Sequence, residues 1–432
     1  MKQTKERVKH NDITKNIYIN GRLRQNMPRS SRKALAMEHF RTSKYRLGFV
    51  LPVPPDVSGI TNEVKWIRPL MKFSKYSGIV ITTTENPLPI DELHQPLTVK
   101  SFFPDVFREI GKNEINLLHV QYIYGLYGLR SRSYKSVIVS FTNIIILCLY
   151  TRMRRKKLVL TMHRLTSSVE EDVFDERYKK LTYLNFVVVL LNRLLIFLSS
   201  ATTVLSNAQL EKITSGKSKV YVVPEPVTVW NTPKTEHDQF TFIYHGFIKP
   251  SKGLTTLLEA YSRLRKVESN VKLIVVGGLD PLDNDEEIRS YYYKLKSYIE
   301  SNSQSMNIEF HSRYVDDEVL FSLISLSDVA VFPYIDMNRE ISGAIGKIMD
   351  SGLAFICSKT PRFETLLVPG EDALFFEPGD SEDLTKCMLN LIWDESLRER
   401  ITDNLNAKAK SYYPDIIAEK YAEIYRNLLP EE

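Results

Sequence analysis

Phe240-Thr241-Phe242-Ile243-Tyr244-His245-Gly246-Phe247-Ile248-Lys249-Pro250-Ser251-Lys252-Gly253-Leu254 decides the fold. The first five residues form a short apolar and aromatic run of strand composition. His245 to Lys252 is a turn punctuated by Gly and Pro. From Gly253 to Arg265 apolar residues recur at helical spacing, at Leu254, Leu257, Leu258, Tyr261 and Leu264. A second apolar run, 271–278, comes next, so the segment reads strand, turn, helix, strand. Further strands are predicted at 308–311 and 329–333. Upstream the same form recurs at 46–52, 78–82, 116–121, 157–163 and 201–206, with Ser58 and Gly59 opening a helix toward Met71. Apolar runs separated by helices are what a parallel sheet covered on both faces requires. The fold class is therefore α/β, with two Rossmann-like domains. The carboxyl ends of their strands, where ligands bind in open α/β sheets, are expected to face one another across a cleft. A polar stretch at 231–238 is the expected linker, which gives domains at 46–232 and 233–412.

The 432 residues exceed a single core, which stops growing at roughly 250–300 residues. Three cysteines without short paired spacing exclude a disulfide framework and a thiolate zinc site. The net charge of +6 is unevenly placed. Residues 1–46 hold 13 Lys and Arg against 3 acids, and the rest of the chain holds 45 basic against 49 acidic groups. Residues 1–45 thus read as a basic N-terminal extension, a solvated or interacting tail. No apolar stretch follows it, so it is not a secretory signal. No aromatic and basic nucleic-acid module is visible, and no nucleic-acid partner is expected. The longest apolar helix candidate, 137–150, is too short to span a bilayer. Five cations in six positions follow it from Arg152 to Lys157, and a second apolar helix is predicted at 186–198. Apolar helices bordered by cations suit an anionic membrane surface, and they equally suit core helices with solvated basic ends.

The run from Tyr244 to Leu254, followed by Leu273-Ile274-Val275-Val276-Gly277-Gly278, resembles the donor-binding half of the GT-B glycosyltransferases of family 4. The resemblance continues through Ser327 to Tyr334, Met349 to Ser358, Glu364-Thr365-Leu366 and Gly370 to Phe376. It implies a cytoplasmic hexosyltransferase that moves a hexose from a nucleotide sugar, such as a UDP- or GDP-hexose, to a glycan or lipid-linked saccharide. Anomeric configuration is retained and no metal or other cofactor is needed. The resemblance also implies that the helix in 413–432 crosses back to the N-terminal domain.

In such an enzyme cationic side chains and helix amides stabilise the departing nucleoside diphosphate. The resemblance assigns Gly246, Lys249 and Lys252 to the diphosphate, with Lys249 displaced two positions from the Arg usual after the Gly, where Phe247 stands. On residue type alone the lysines also read as solvated loop residues. Ser342, Gly343 and Ala344 read as a capped helix N-terminus whose amides can hold an anion. Gly59 would admit backbone amides to the phosphates from the other domain, or serve as a tight turn. His163, at a strand end, is the expected hydrogen-bonding or proton-accepting group near the donor sugar, with His119 the weaker candidate. The family's two glutamates, eight positions apart, are missing: Arg339 and Lys347 occupy their places, and Glu340, one residue away, is assigned to the sugar. That absence leaves a catalytically silent GT-B scaffold, or a partner subunit of another transferase, as the alternative. Asp283-Asn284-Asp285 matches a metal-binding Asp-x-Asp pattern but lies in an acidic loop, and no metal role is assigned to it.

Overall fold

The computed structural model describes residues 44–51, 64–70, 76–82, 97–98, 102, 104–122, 134–163, 165, 182–213, 215–230, 233–279, 285–313, 315–337 and 343–429. They divide into two compact units. Unit 1 takes the described residues up to Leu205, then 210–223 and 417–429, and unit 2 takes 206–209 and 224–416.

Unit 1 holds a sheet of β1 (Tyr45–Val50), β2 (Tyr76–Thr82), β3 (Leu97–Thr98), β4 (Leu117–Tyr122), β5 (Lys157–Met162), β6 (Ala201–Val204) and β7 (Val220–Val222), in the order β3-β2-β1-β4-β5-β6-β7. Unit 2 holds β8 (Phe240–His245), β9 (Val271–Val276), β10 (Ile308–His311), β11 (Val329–Phe332), β12 (Ala354–Ser358) and β13 (Leu374–Phe376), in the order β10-β9-β8-β11-β12-β13. Every pairing is parallel, as the unbroken apolar runs predict. All four residues of β11 and all five of β12 are buried. In each sheet the strand order reverses once, at β1/β4 and at β8/β11. A crevice opens at such a reversal, beyond the carboxyl ends of the strands.

The divide between the units falls after Val223, nine residues before the boundary expected from polarity. Backbone pairing explains the difference. Within unit 2 the Val227 amide donates to the Tyr412 carbonyl at 3.0 Å and the Thr228 amide to the Gly346 carbonyl at 2.7 Å. The Trp230 indole donates to the Lys347 carbonyl at 2.8 Å.

The last helix, Pro414–Leu428, contributes its residues from Ile417 onward to unit 1. Tyr421 stacks on Trp66 with ring centroids 4.1 Å apart, and Ile417, Tyr421 and Tyr425 are wholly buried with Leu47, Phe49 and Leu117. A buried polar chain runs through this packing. His119 Nδ1 pairs with the Tyr425 hydroxyl and its Nε2 with the Thr161 hydroxyl, each at 2.6 Å, and Thr161 pairs with Thr203 at 2.6 Å.

Candidate functional site

The turn after β8 lies at the strand-order reversal of unit 2. The Gly246 amide donates to the Val276 carbonyl at 3.0 Å and the Ile248 amide to the Gly278 carbonyl at 2.9 Å, so the chain leaves β8 still extended beside the end of β9. This close approach requires Gly277, where a Cβ would lie 1.9 Å from the Gly246 carbonyl oxygen. A single 3₁₀ turn, Pro250–Lys252, then reverses the chain. Pro250 suits its first position. Gly253 leaves it at φ 65°, where a Cβ would lie 1.6 Å from the Pro333 carbonyl oxygen, and starts the helix Leu254–Leu264. The Ile335 amide donates to the Ser251 carbonyl at 3.1 Å, which ties this turn to the loop after β11.

Two of the predicted cations are thereby fixed at the carboxyl edge of the sheet. Lys252 Nζ stands 3.7 Å from the ring centroid of the buried Tyr334, and Lys249 Nζ stands 5.8 Å from that of Phe247. A third cation was not foreseen from the sequence. Arg362 is 3% exposed in the short helix Pro361–Glu364 after β12, with its guanidinium carbon 4.9 Å from the same Tyr334 ring and one nitrogen 3.2 Å from Asp336 Oδ2. The usable signal was its position, a lone Arg just beyond a fully buried strand. Tyr334 thus carries both Lys252 and Arg362 against its ring, a cation–π arrangement that holds two like charges together.

His245 ends β8 in the same region. Burial first, then the positive charge of Lys347, pushes its pKa down to about 3, with Asp317 opposing and Lys252 adding to the fall. Its Nδ1 and the Oγ1 of Thr360, which precedes the helix Pro361–Glu364, are buried and have no hydrogen-bond partner among the described residues. Buried polar atoms without partners are uncommon and mark places that a ligand or water completes. Lys347, at the place of a family glutamate, bonds Asp317 at 2.6 Å. Gly343 and Ala344 are the first residues of the helix Gly343–Ile348. Ser342, Glu340 and Arg339 lie outside the described residues, as does Gly59.

His163 belongs to unit 1. It follows β5, its amide donates to the Tyr122 carbonyl at 3.0 Å and its Nε2 pairs with Gln121 Oε1 at 2.7 Å. His119 is 1% exposed, and burial first, then the His163 charge, pushes its pKa down to about 3. With both ring nitrogens bonded inside unit 1 it is a core residue. Asp285, the last residue of the Asp-x-Asp pattern, caps the helix Glu286–Met306 by accepting from the amides of Glu287 and Ile288, and Asp283 and Asn284 lie outside the described residues.

Comparison with known proteins follows the same lines. Residues 239–394 match the family model for glycosyl transferases group 1. The chain is 40% identical over 194 residues, 44% of its length and 49% of the relative's, to lipopolysaccharide 1,2-N-acetylglucosaminetransferase of Salmonella typhimurium. It is 28% identical over 200 residues, 46% of its length and 49% of the relative's, to the capsular polysaccharide biosynthesis glycosyltransferase CapM of Staphylococcus aureus. The chain thus spans about half the length of these curated relatives. Among solved structures, sucrose-phosphate synthase of Thermosynechococcus elongatus superposes with a TM-score of 0.65 at 16% identity, covering 89% of this chain and 99% of that one. HepE of Anabaena in complex with UDP-glucose superposes with a TM-score of 0.64 at 15% identity, covering 88% and 99%. The fold of the chain is the one these solved structures share.

Proposed function

We propose, from the match of residues 239–394 to the group 1 glycosyl transferases and the GT-B fold of the chain, that this protein is a cytoplasmic hexosyltransferase. Its donor is a nucleotide sugar and its acceptor a glycan, lipid-linked where it is presented at a membrane. The observation that carries this reading is the gathering of Lys249, Lys252 and Arg362 at the strand-order reversal of unit 2, within the family-matched residues.

The chemistry needs charge stabilisation more than a protein nucleophile. Lys249 and Lys252 take the two phosphates of the donor, and the Arg362 guanidinium, paired with Asp336, packs on Tyr334 and fixes the ring against which Lys252 lies. The first amides of the helix Gly343–Ile348 supply further donors. As the bond from the sugar to the diphosphate breaks, negative charge grows on the phosphate oxygen that these cations face. In the retaining, front-face course, that oxygen takes the acceptor hydroxyl's proton while the hydroxyl oxygen bonds to the anomeric carbon on the same face. No metal takes part. His163 and Glu340 are assigned to the sugar hydroxyls.

Incubation with UDP-, GDP- and ADP-hexoses, with detection of free nucleotide and of the donor-induced rise in Tm, tests the reading. Turnover with one nucleotide class is expected. Absence of both turnover and thermal stabilisation with every donor overturns it, and stabilisation without turnover in the presence of a glycan acceptor panel favours the silent scaffold.

A further inference from the structure

Unit 1 carries an outward face that the transferase reading does not use. The helices Tyr134–Met153 and Thr182–Leu198 pack side by side against its sheet. Their inner sides are core: Phe141, Ile144 and Leu147 from the first, Val188, Leu195 and Ile196 from the second. Their outer sides are mostly apolar among the described residues. Leu149 is 45% exposed, Met153 84%, Phe186 56%, Leu190 45% and Phe197 66%. These residues recur at spacings of four and seven, so each helix shows a second apolar stripe, opposite the one that faces the sheet. A surface helix ordinarily turns charged residues outward, and contiguous exposed apolar surface of this kind marks an interaction site.

Among the described residues, the exposed charges on these two helices and just beyond the first are all positive. Arg152, Arg154, Arg155 and Lys157 are exposed at the end of the first helix, and Arg193 is exposed on the second. Lys219 lies at the end of the second helix: its Nζ donates to the carbonyls of Phe197 at 2.7 Å and Ser199 at 2.9 Å and lies 5.8 Å from the Phe197 ring. Residues 134–169 and 182–210 contain no Asp or Glu. Cations at a helix C-terminus complement its dipole, but the dipole gives no reason for Met153 and Phe197 to stand in water beside them.

We infer that this face docks on an anionic lipid bilayer. The apolar stripes enter the boundary between headgroups and acyl chains, and the cations engage lipid phosphates. A second copy of the chain is the poorer occupant, because a two-fold contact through this face would bring together helix ends whose described exposed charges are all positive. The inference does not rest on the transferase reading.

Flotation of the full chain with phosphatidylcholine vesicles, with and without 30 mol% phosphatidylglycerol, tests it. Binding is expected only with the anionic lipid, and it is expected to fall at least tenfold in Met153→Ser/Phe197→Ser and in Arg152→Glu/Arg154→Glu/Arg155→Glu. The variant Phe197→Trp, a conservative exchange at an exposed site, is expected to shift its indole emission to the blue on adding anionic vesicles. Parent-like binding by both multiple variants, which would place the contact in the basic residues 1–46, overturns the inference. So does an unshifted emission from Phe197→Trp, or a parent dimer in light scattering that Met153→Ser/Phe197→Ser turns into monomer. Loss of vesicle binding with the donor-induced rise in Tm intact separates this outcome from failure of the transferase reading.

Discussion

At the scale of single residues, Lys252 is the sharpest test. Its Nζ lies against Tyr334 at the surface of the site, and its backbone, not its side chain, makes the turn. Lys252→Ala is therefore expected to lower kcat about 100-fold, the cost of removing one preorganised donor to a developing anion, with Tm nearly unchanged. Nucleotide release and thermal melting check the two halves. His119 makes a different prediction. Its folded pKa of about 3 lies below the unfolded value of 6.5, so the unfolded chain binds the proton first as pH falls. The stability that neutral His119 confers is complete above about pH 6.5 and declines from there toward pH 3, by about 1 kcal/mol at pH 5.5. Urea midpoints at pH 7.5 and 5.5 should show this loss for the parent and a smaller one for His119→Gln.

The residue scale also shows where sequence reading stopped. The position of Lys249 and Lys252 just beyond a strand was legible because a turn punctuated by Gly and Pro follows an apolar run, while their assignment to the diphosphate came from the resemblance. Arg362 and Asp336 escaped because their pairing spans 26 positions and two loops, which no local spacing reports. His119 was readable as a histidine within an apolar strand, but its partner Tyr425 lies 306 positions away.

At the scale of elements, glycine geometry holds the site in place. Gly253 has φ 65° and abuts the Pro333 carbonyl, so Gly253→Ala is both strained and obstructed. It is expected to cost at least about 2 kcal/mol and to weaken nucleotide binding more than Lys252→Ala does, because it displaces the whole turn. Denaturation curves and donor titrations distinguish the two variants. Asp285 is expected to act as a helix cap. Asp285→Ala should cost about 1 kcal/mol of stability and leave transfer rates unchanged, with or without a chelator. A rate that falls with the variant or with the chelator would give the acidic loop a metal role. The parallel strand type was readable from apolar runs, whereas the two-residue β3 was not: Leu97–Thr98 is too short to show a pattern.

At the scale of the whole molecule, the chain leaves unit 1 after Val223 and rejoins it at Ile417. Polarity at 231–238 suggested a linker, but polarity reports solvent and not backbone pairing, and the pairing of Val227 and Thr228 puts the divide earlier. The terminal helix supplies Ile417, Tyr421 and Tyr425 to the core around Trp66 and His119. Ending the chain at Tyr413 is therefore expected to abolish the cooperative melting of unit 1 while unit 2, whose core cluster does not use that helix, keeps its own transition. Calorimetry and limited proteolysis check this.

The return at Ile417 also sets an order of events during synthesis. Domains ordinarily close in the sequence in which the ribosome delivers them. Here residues 45–223 emerge first yet lack the tyrosines that fill one side of their sheet. The unit made second is the first able to finish. The nascent first unit is therefore expected to stay open, and exposed to aggregation, until the segment from Ile417 onward clears the exit tunnel.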